Sequence, residues 1–215
     1  MPNIHIGASI GERRDSAAAE PSRLPPLGSF VSQLLGNQIG IAGHAEEPRC
    51  DHIGGVVLFV DIVSSTSMTD LVAASGPDGA ELLGGTLSDY FSEVIDVVLA
   101  HGGDVIRIDG DAVIALWRDD APSGMPHLQA ARAAFALRGL RHQWPVGLGP
   151  LQHRLSLVAG TFSTVILRGR GKRSFLVLAG EALRTIGEIL HSVEPGEVAM
   201  DVAMARRLEI GRAHV

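Results

Sequence analysis

The sequence predicts an α+β fold in which helices pack on a mainly antiparallel sheet. Three observations carry that prediction. Gly55 to Asp61 is a β-branched and apolar run that ends in a carboxylate and leads into the hydroxyl-rich turn Ser64-Ser65-Thr66. Gly103 to Trp117 holds two short apolar runs around Asp109-Gly110, a strong hairpin pair, with Asp111 in the turn. Helical patterns lie between these strands and after them, so hairpins alternate with crossover helices.

In chain order, residues 1–21 lack periodicity and read as a disordered leader. Residues 22–53 read as a short amphipathic segment, with Phe30, Val31, Leu34 and Leu35 at helical spacing, followed by a linker over 38–53. The run Gly55–Asp61 has the near-continuous apolarity of a strand buried on both faces. Ser64, Ser65 and Thr66 supply a helix N-cap, and Met68, Leu71 and Val72 follow at helical spacing. Gly76-Pro-Asp-Gly79 reads as a turn. A helix is expected over 80–101, because Leu83, Leu87, Tyr90, Phe91, Val94, Ile95 and Val98 recur every three or four residues and Gly102-Gly103 ends the pattern. Strands Val105–Ile108 and Ala112–Trp117 form the hairpin. An Ala-rich helix over 126–142 stops before Trp144-Pro145 and a Gly-Pro-rich loop to Pro150. Apolar runs Leu155–Val158 and Thr164–Arg168 bracket Ala159-Gly160. A basic turn, Gly169–Arg173, leads to strand Phe175–Leu178. A helix follows from Gly180 to about Val193, then a short strand Glu197–Met200, and Asp201 caps a last helix.

Composition narrows the function. Of 215 residues, 46% are hydrophobic and only 4% aromatic, which suits one aliphatic-cored domain plus a tail. The net charge is −6 and no basic block is long enough for a nucleic-acid footprint, so no nucleic-acid partner is expected. The single cysteine, Cys50, excludes an internal disulfide framework and a cysteine-based zinc site and fits a reducing, cytoplasmic setting. No apolar run approaches the ~20 residues that cross a bilayer. The nine histidines contain no zincin pairing, and Ser64 and Ser65 have no recognisable triad partners.

What remains is a pair of strand-end carboxylates, Asp61 and Asp111. Neighbouring strands can bring them together, and a divalent cation that activates a nucleotide needs only one or two protein carboxylates. Backbone N–H groups from Val63 to Thr66, at a helix start, suit terminal phosphates. Taken singly, Asp61 reads as a strand-end residue and Asp111 as a turn residue. Together, with the flanking strands and the hydroxyl loop, they read as a metal–phosphate site.

Phe59-Val-Asp-Ile-Val-Ser-Ser-Thr-Ser-Met-Thr69 resembles the F-x-D-I-x-G-F/S-T-x-L-T segment of class III nucleotidyl cyclases. Gly102 to Trp117 resembles their G-G-x-x-x-K-x-x-G-D-A-x-x-A-x-W/F segment, in the same order and spacing. The likeness continues through Leu155–Gly160, Phe175–Gly180 and Pro195–Val198, and extends to the first catalytic half of the soluble, bicarbonate-responsive adenylyl cyclases and their bacterial relatives. The resemblance implies a ferredoxin-like (palm) catalytic domain over 54–208 that forms cyclic AMP from ATP, with GTP the less expected substrate. It implies two Mg2+ or Mn2+ ions held by Asp61, Asp111 and the Ile62 carbonyl. Val63, Ser64, Ser65 and Thr66 become the phosphate loop, although Ser65 stands where Gly or Phe is common. Arg107 occupies a lysine position that contacts the purine in homodimeric cyclases and bicarbonate in the soluble ones. Arginine stays protonated and favours planar oxyanions, so the anion contact suits it better; the plainer reading is a solvated strand-edge charge.

The resemblance also exposes a gap. A family site lies between two head-to-tail domains, and the second brings a base selector, an Asn for the ribose and an Arg for the transferring phosphate. At those positions stand Val177, Arg184 and Glu188. A carboxylate at the last would repel the developing charge, so the domain is expected to be a first half that needs a second cyclase domain and to be nearly inactive as a homodimer. One back-translation of Ile210 to Val215 reproduces a common short-read sequencing adapter, so residues 209–215 are expected to be an adapter artefact; the plainer reading is a natural tail. The natural protein is expected to continue, with its second half C-terminal. The alternative function is a non-catalytic module that binds nucleotide or bicarbonate.

Overall fold

The computed structural model describes residues 49–63, 76–122, 124–144, 149–168 and 174–212, together with Ser32, Leu34, Asp70, Val72 and Ala74. The expected leader, the expected helix at Met68 and Leu71, and the basic turn Gly169–Arg173 lie outside them, apart from Val72.

A 14-residue strand, β1 (Arg49–Ile62), runs through the middle of the sheet. It is antiparallel to β3 (Ala112–Arg118) on one side and to β6 (His153–Arg168) on the other. Strand β2 (Asp104–Asp109) completes the hairpin with β3, β7 (Ser174–Ala179) pairs with the far end of β6, and β8 (Val198–Met200) lies parallel to its near end. The sheet order is β2-β3-β1-β6-β7. The expected α+β class and mainly antiparallel sheet are therefore found.

The two-residue period of β1 sorts its side chains between two cores. Val56, Leu58, Val60 and Ile62 pack in one cluster with Tyr90, Val94 and Val98 of α1 (Pro77–Ala100), with Ala130, Ala134 and Leu137 of α2 (Pro126–Arg138), and with Met204 of α4 (Val202–Arg212). Val57 packs on the opposite face with Leu116, Val158 and Phe162, with Ile186 of α3 (Glu181–Leu190), and with Leu34. Burial on both faces is what the unbroken apolar run required. At the end of α1, Trp117 lies so close to Gly103 that a Cβ there would fall 2.5 Å from the indole ring. The Trp117 indole N–H donates to the His101 carbonyl at 2.9 Å.

Several boundaries differ from expectation. The supposed turn Gly76–Gly79 is the start of α1, with Pro77 in its first turn, where a missing N–H costs nothing. Helix α2 stops at Arg138, four residues early, at Gly139. His142–Gln143 (β4) instead pairs with Pro150–Leu151 (β5). Residues 49–53, read as linker, extend β1 because β6 is long enough to pair with them as far as Ile166. Strand β6 passes through Ala159-Gly160 without a break. The last helix is capped by Asp201, as expected: its carboxylate accepts from the Met204 N–H at 2.7 Å.

Candidate active site

Asp61 is the penultimate residue of β1, opposite Ala112 of β3 and Arg154 of β6. Asp111 sits in the β2–β3 turn, which Gly110 closes with φ 63°. The Ile62 N–H donates to the Asp111 carbonyl at 3.3 Å, and the Val63 N–H to the Gln152 carbonyl at 2.8 Å. The fold thus gathers Asp61, Ile62, Val63 and Asp111 at one end of the sheet. Ser64, Ser65 and Thr66, expected to complete a phosphate loop, lie outside the described residues.

By strand alternation Asp61 shares a face with Val57 and Phe59, and Arg154 shares a face with Val158. Both carboxylate and guanidinium therefore lie on the α3 side. Arg154 Nη2 donates to Asp61 Oδ2 at 2.6 Å, and the Asp61 side chain is only 17% exposed. Arg154 Nη1 donates to the Leu190 carbonyl, the last residue of α3, at 3.3 Å. Sequence reasoning missed Arg154. Its signal was available only through register: once Leu155–Val158 is laid antiparallel against Val57–Val60, Arg154 falls opposite Asp61.

Beneath the strand end lies a second group that the sequence did not single out. Tyr90 is buried, and its hydroxyl has no hydrogen-bond partner among the described residues. Burial, and then the Asp61 charge, push its pKa far above the ordinary tyrosine value. His153 lies against it with ring centroids 5.9 Å apart, and His142 meets it edge-on at 5.5 Å. His142 Nε2 donates to a Glu93 carboxylate oxygen at 2.5 Å.

Arg107 lies on β2 just after a bulge, half exposed and ion-paired with Asp109. It borders a cavity of about 240 Å³ walled by Phe59, Ile114, Leu176, Leu178 and Ile186. Val177 stands on β7 opposite Val165. Arg184 and Glu188 are exposed on α3 and bind each other: Arg184 Nη1 donates to Glu188 Oε1 at 2.6 Å. Arg184 Nε also donates to Glu181 at 3.0 Å, and this hydrogen bond, with the guanidinium charge, holds the Glu181 carboxyl below its usual pKa. Among the described residues no group of three or more His, Cys, Asp and Glu side chains converges on one point. Two carboxylates and a carbonyl at a strand end form a hard oxygen donor set, which fits Mg2+ or Mn2+ and not a soft metal. Among the described residues no helix is long and apolar enough to cross a membrane.

No protein-family model matches the chain. It is 31% identical over 150 residues to human adenylate cyclase type 10, a match covering 66% of this chain and 9% of that protein. It is 31% identical over 88 residues to adenylate cyclase 1 of Rhizobium meliloti, covering 40% of this chain and 13% of that protein. The chain thus spans about a tenth of the length of these curated relatives. Among solved structures, the adenylyl cyclase CyaB from P. aeruginosa superposes with a TM-score of 0.61 at 19% identity, covering 75% of this chain and 83% of that one. A bacterial light-regulated adenylyl cyclase superposes with a TM-score of 0.62 at 17% identity, covering 84% of this chain and 52% of that one. The mainly antiparallel sheet and the four helices among the described residues match the fold of cyclase catalytic domains. The chain belongs to the class III adenylate/guanylate cyclases and is homologous to the type 10 adenylate cyclases over about 65% of its length.

Proposed function

We propose that this domain supplies the metal- and phosphate-binding half of an adenylyl cyclase site, which forms 3′,5′-cyclic AMP and pyrophosphate from ATP, and that a complementary second domain supplies the rest. The observation that carries the reading is the Arg184–Glu188 ion pair. The positions that would hold a ribose-binding Asn and a phosphate-stabilising Arg hold two charges that neutralise each other on an exposed helix face. A carboxylate there cannot stabilise negative charge on phosphorus, and losing a transition-state donor costs ~10²–10³ in rate.

In this reading Asp61, Asp111 and the Ile62 carbonyl would hold two Mg2+ or Mn2+ ions, whose chemistry there would be to acidify the ribose 3′-hydroxyl and to neutralise phosphate charge. The backbone N–H groups of Ser64 to Thr66 would hold the terminal phosphates, whereas that of Val63, expected to join them, is already donated to the Gln152 carbonyl at 2.8 Å. The 3′-oxygen would attack the α-phosphorus, its proton passing to solvent water, while the bond from the α-phosphorus to the pyrophosphate oxygen breaks and pyrophosphate leaves. Val177 makes no polar contact with a purine edge, so base choice falls to the second domain. Arg107 opens from Asp109 to bind a planar oxyanion such as bicarbonate, which its fork geometry suits. The setting is cytoplasmic, as the lone cysteine indicates.

The test is an assay of cyclic AMP from Mn2+ and ATP, with GTP in parallel. The chain alone should be nearly inactive. The chain mixed with a cyclase domain that retains Asp, Asn and Arg at the partner positions should be active, and Asp61→Asn should lower that activity by at least about a hundredfold. Cyclic AMP formation by the unaided wild-type chain would refute the half-site reading. An active pair indifferent to Asp61→Asn would refute the metal role.

A further inference from the structure

Asp104 opens β2 directly after Gly102-Gly103, and neither the metal site nor the cyclase resemblance gives it a role. Its carboxylate holds a distant piece of chain: Oδ2 accepts from the Ser32 hydroxyl at 2.7 Å and from the Leu34 N–H at 2.9 Å. Leu34 is 3% exposed and packs in the cluster of Val57, Leu116, Val158, Phe162 and Ile186, which joins the sheet to α3. The seat therefore has two parts, a carboxylate for the backbone and hydroxyl, and an apolar hole for the leucine. It is not tightly filled. A cavity of about 170 Å³ lies beside it, lined by Leu34, Asp104, Leu116 and Arg118. Leu34 thus leaves at smaller cost than a close-packed core residue would. Helix α3 depends on this cluster more than the other helices do, since Ile186 is its one buried residue, against five in α1 and six in α2.

We propose that Ser32 and Leu34 form a latch on Asp104 that sets the position of α3. Seated, the latch props α3 on the sheet. Released, it loosens that helix, and with it the face carrying Arg184 and Glu188 on either side of Ile186. Helices α1, α2 and α4 pack on the opposite face of the sheet and stay out of the change. The latch is sensitive to charge: the Ser32 hydroxyl touches a carboxylate, so a negative group at position 32 repels Asp104. Two hydrogen bonds to a charged acceptor are strong enough that their loss moves the latch from mostly seated to mostly open. The effect on assembly with a second domain rests on the half-site reading; the latch itself does not.

The experiment is amide hydrogen exchange on the full chain, read by mass spectrometry. In Ser32→Glu and Asp104→Ala the amides of α3 should exchange about tenfold faster than in wild type, while those of α1 and α2 keep their rates. Asp104→Asn, which keeps an acceptor oxygen, should stay near wild type. Unchanged exchange of α3 in Ser32→Glu overturns the proposal. So does a loss of protection shared equally by α1 and α2, which would make position 32 a site of general stability. A second measurement needs no variant. In wild type under mild urea, the Leu34 amide and the α3 amides should exchange through one opening with one urea dependence, before α1 opens. An α3 that opens only in step with α1 also overturns it. A third arm mixes Ser32→Glu with a cyclase domain that retains Asp, Asn and Arg at the partner positions. If about a tenth of molecules stay latched, the partner concentration for half-maximal cyclic AMP formation should rise about tenfold, with the saturated rate unchanged. An unchanged half-maximal concentration overturns the effect on assembly. A wild-type pair without activity would sink the half-site reading alone, and the exchange rates would still decide the latch.

Discussion

His153 pairs in register with Ile62, directly under the strand end that carries Asp61. It is 3% exposed, and neither ring nitrogen has a hydrogen-bond partner among the described residues. Burial disfavours the imidazolium and lowers its pKa below the ordinary 6.5, against a smaller opposing pull from the Leu137 carbonyl. The sign of the consequence follows from linkage. As pH falls through 6.5 the unfolded chain takes up the proton first, so the contribution of His153 to stability is complete above that pH. It is lost progressively below 6.5, down to the folded-state pKa. His153→Phe, which keeps a ring and has no proton to gain, should flatten the fall in melting temperature between pH 7.5 and 5.5. The difference should be about 2–4 °C for each kcal/mol of linkage removed. Parallel melting curves across that range for the two proteins would show that His153 does not govern acid sensitivity. The neighbouring Tyr90 hydroxyl is neutral throughout, since burial and Asp61 both oppose its ionisation.

At the scale of elements, α4 shows how a local signal and a distant contact combine. Asp201 caps α4 through the Met204 N–H, accepts from the Ala159 N–H of β6 at 3.3 Å, and donates its own N–H to the Leu157 carbonyl at 3.0 Å. Arg207 further along the helix pairs with Asp119 at 2.7 Å. Asp201→Ala removes the cap and leaves the Ala159 N–H without its carboxylate, so it should cost about 1–2 kcal/mol. Thermal or urea melts should show this, with Asp201→Asn recovering most of it; an Ala variant as stable as wild type would show the cap to be idle. The cap was legible because Asp at a helix start is a local pattern. So were the β2–β3 hairpin, marked by Asp109-Gly110, and the core face of α1, marked by its spacing. The continuity of β6 was not legible, because Ala159-Gly160 looks like a turn. It is instead a place where small side chains let α3 approach: a Cβ on Gly160 would lie 3.0 Å from that of Ala182. The β4–β5 pair was hidden for a similar reason, since its strands are two residues each and exist only through each other. Asp61 and Asp111 were readable as strand-end carboxylates. Arg154 was not, because it meets Asp61 from 93 residues away through a register that no local pattern encodes.

Across the whole molecule the two faces of the sheet differ in a way that makes the half-site idea testable by construction. One face is covered by α1, α2 and α4. The other carries α3, Asp61 and the groove beside Arg107, and it presents Arg184 and Glu188 to solvent at 64% and 61% exposure. Two identical copies packed head to tail would give each site Asp61 and Asp111 from one chain and Val177, Arg184 and Glu188 from the other. Replacing those three by the partner-half residues, Val177→Asp, Arg184→Asn and Glu188→Arg, should therefore make a symmetric pair competent. The fold should tolerate it. The Arg184 ion pairs are exposed, and such solvent-screened pairs contribute little to stability. Val177 lies on β7, at the end of the strand order, where Asp costs at most about 1 kcal/mol. With Mn2+ and ATP the triple variant should form cyclic AMP at least about a hundredfold faster than the wild-type chain, the scale set by one restored transition-state donor. The single change Glu188→Arg should recover part of that gain by removing the repulsive carboxylate. A triple variant that keeps the wild-type circular dichroism and forms a dimer but stays as inactive as wild type would mean that more than these three positions separates this domain from a complete catalytic unit.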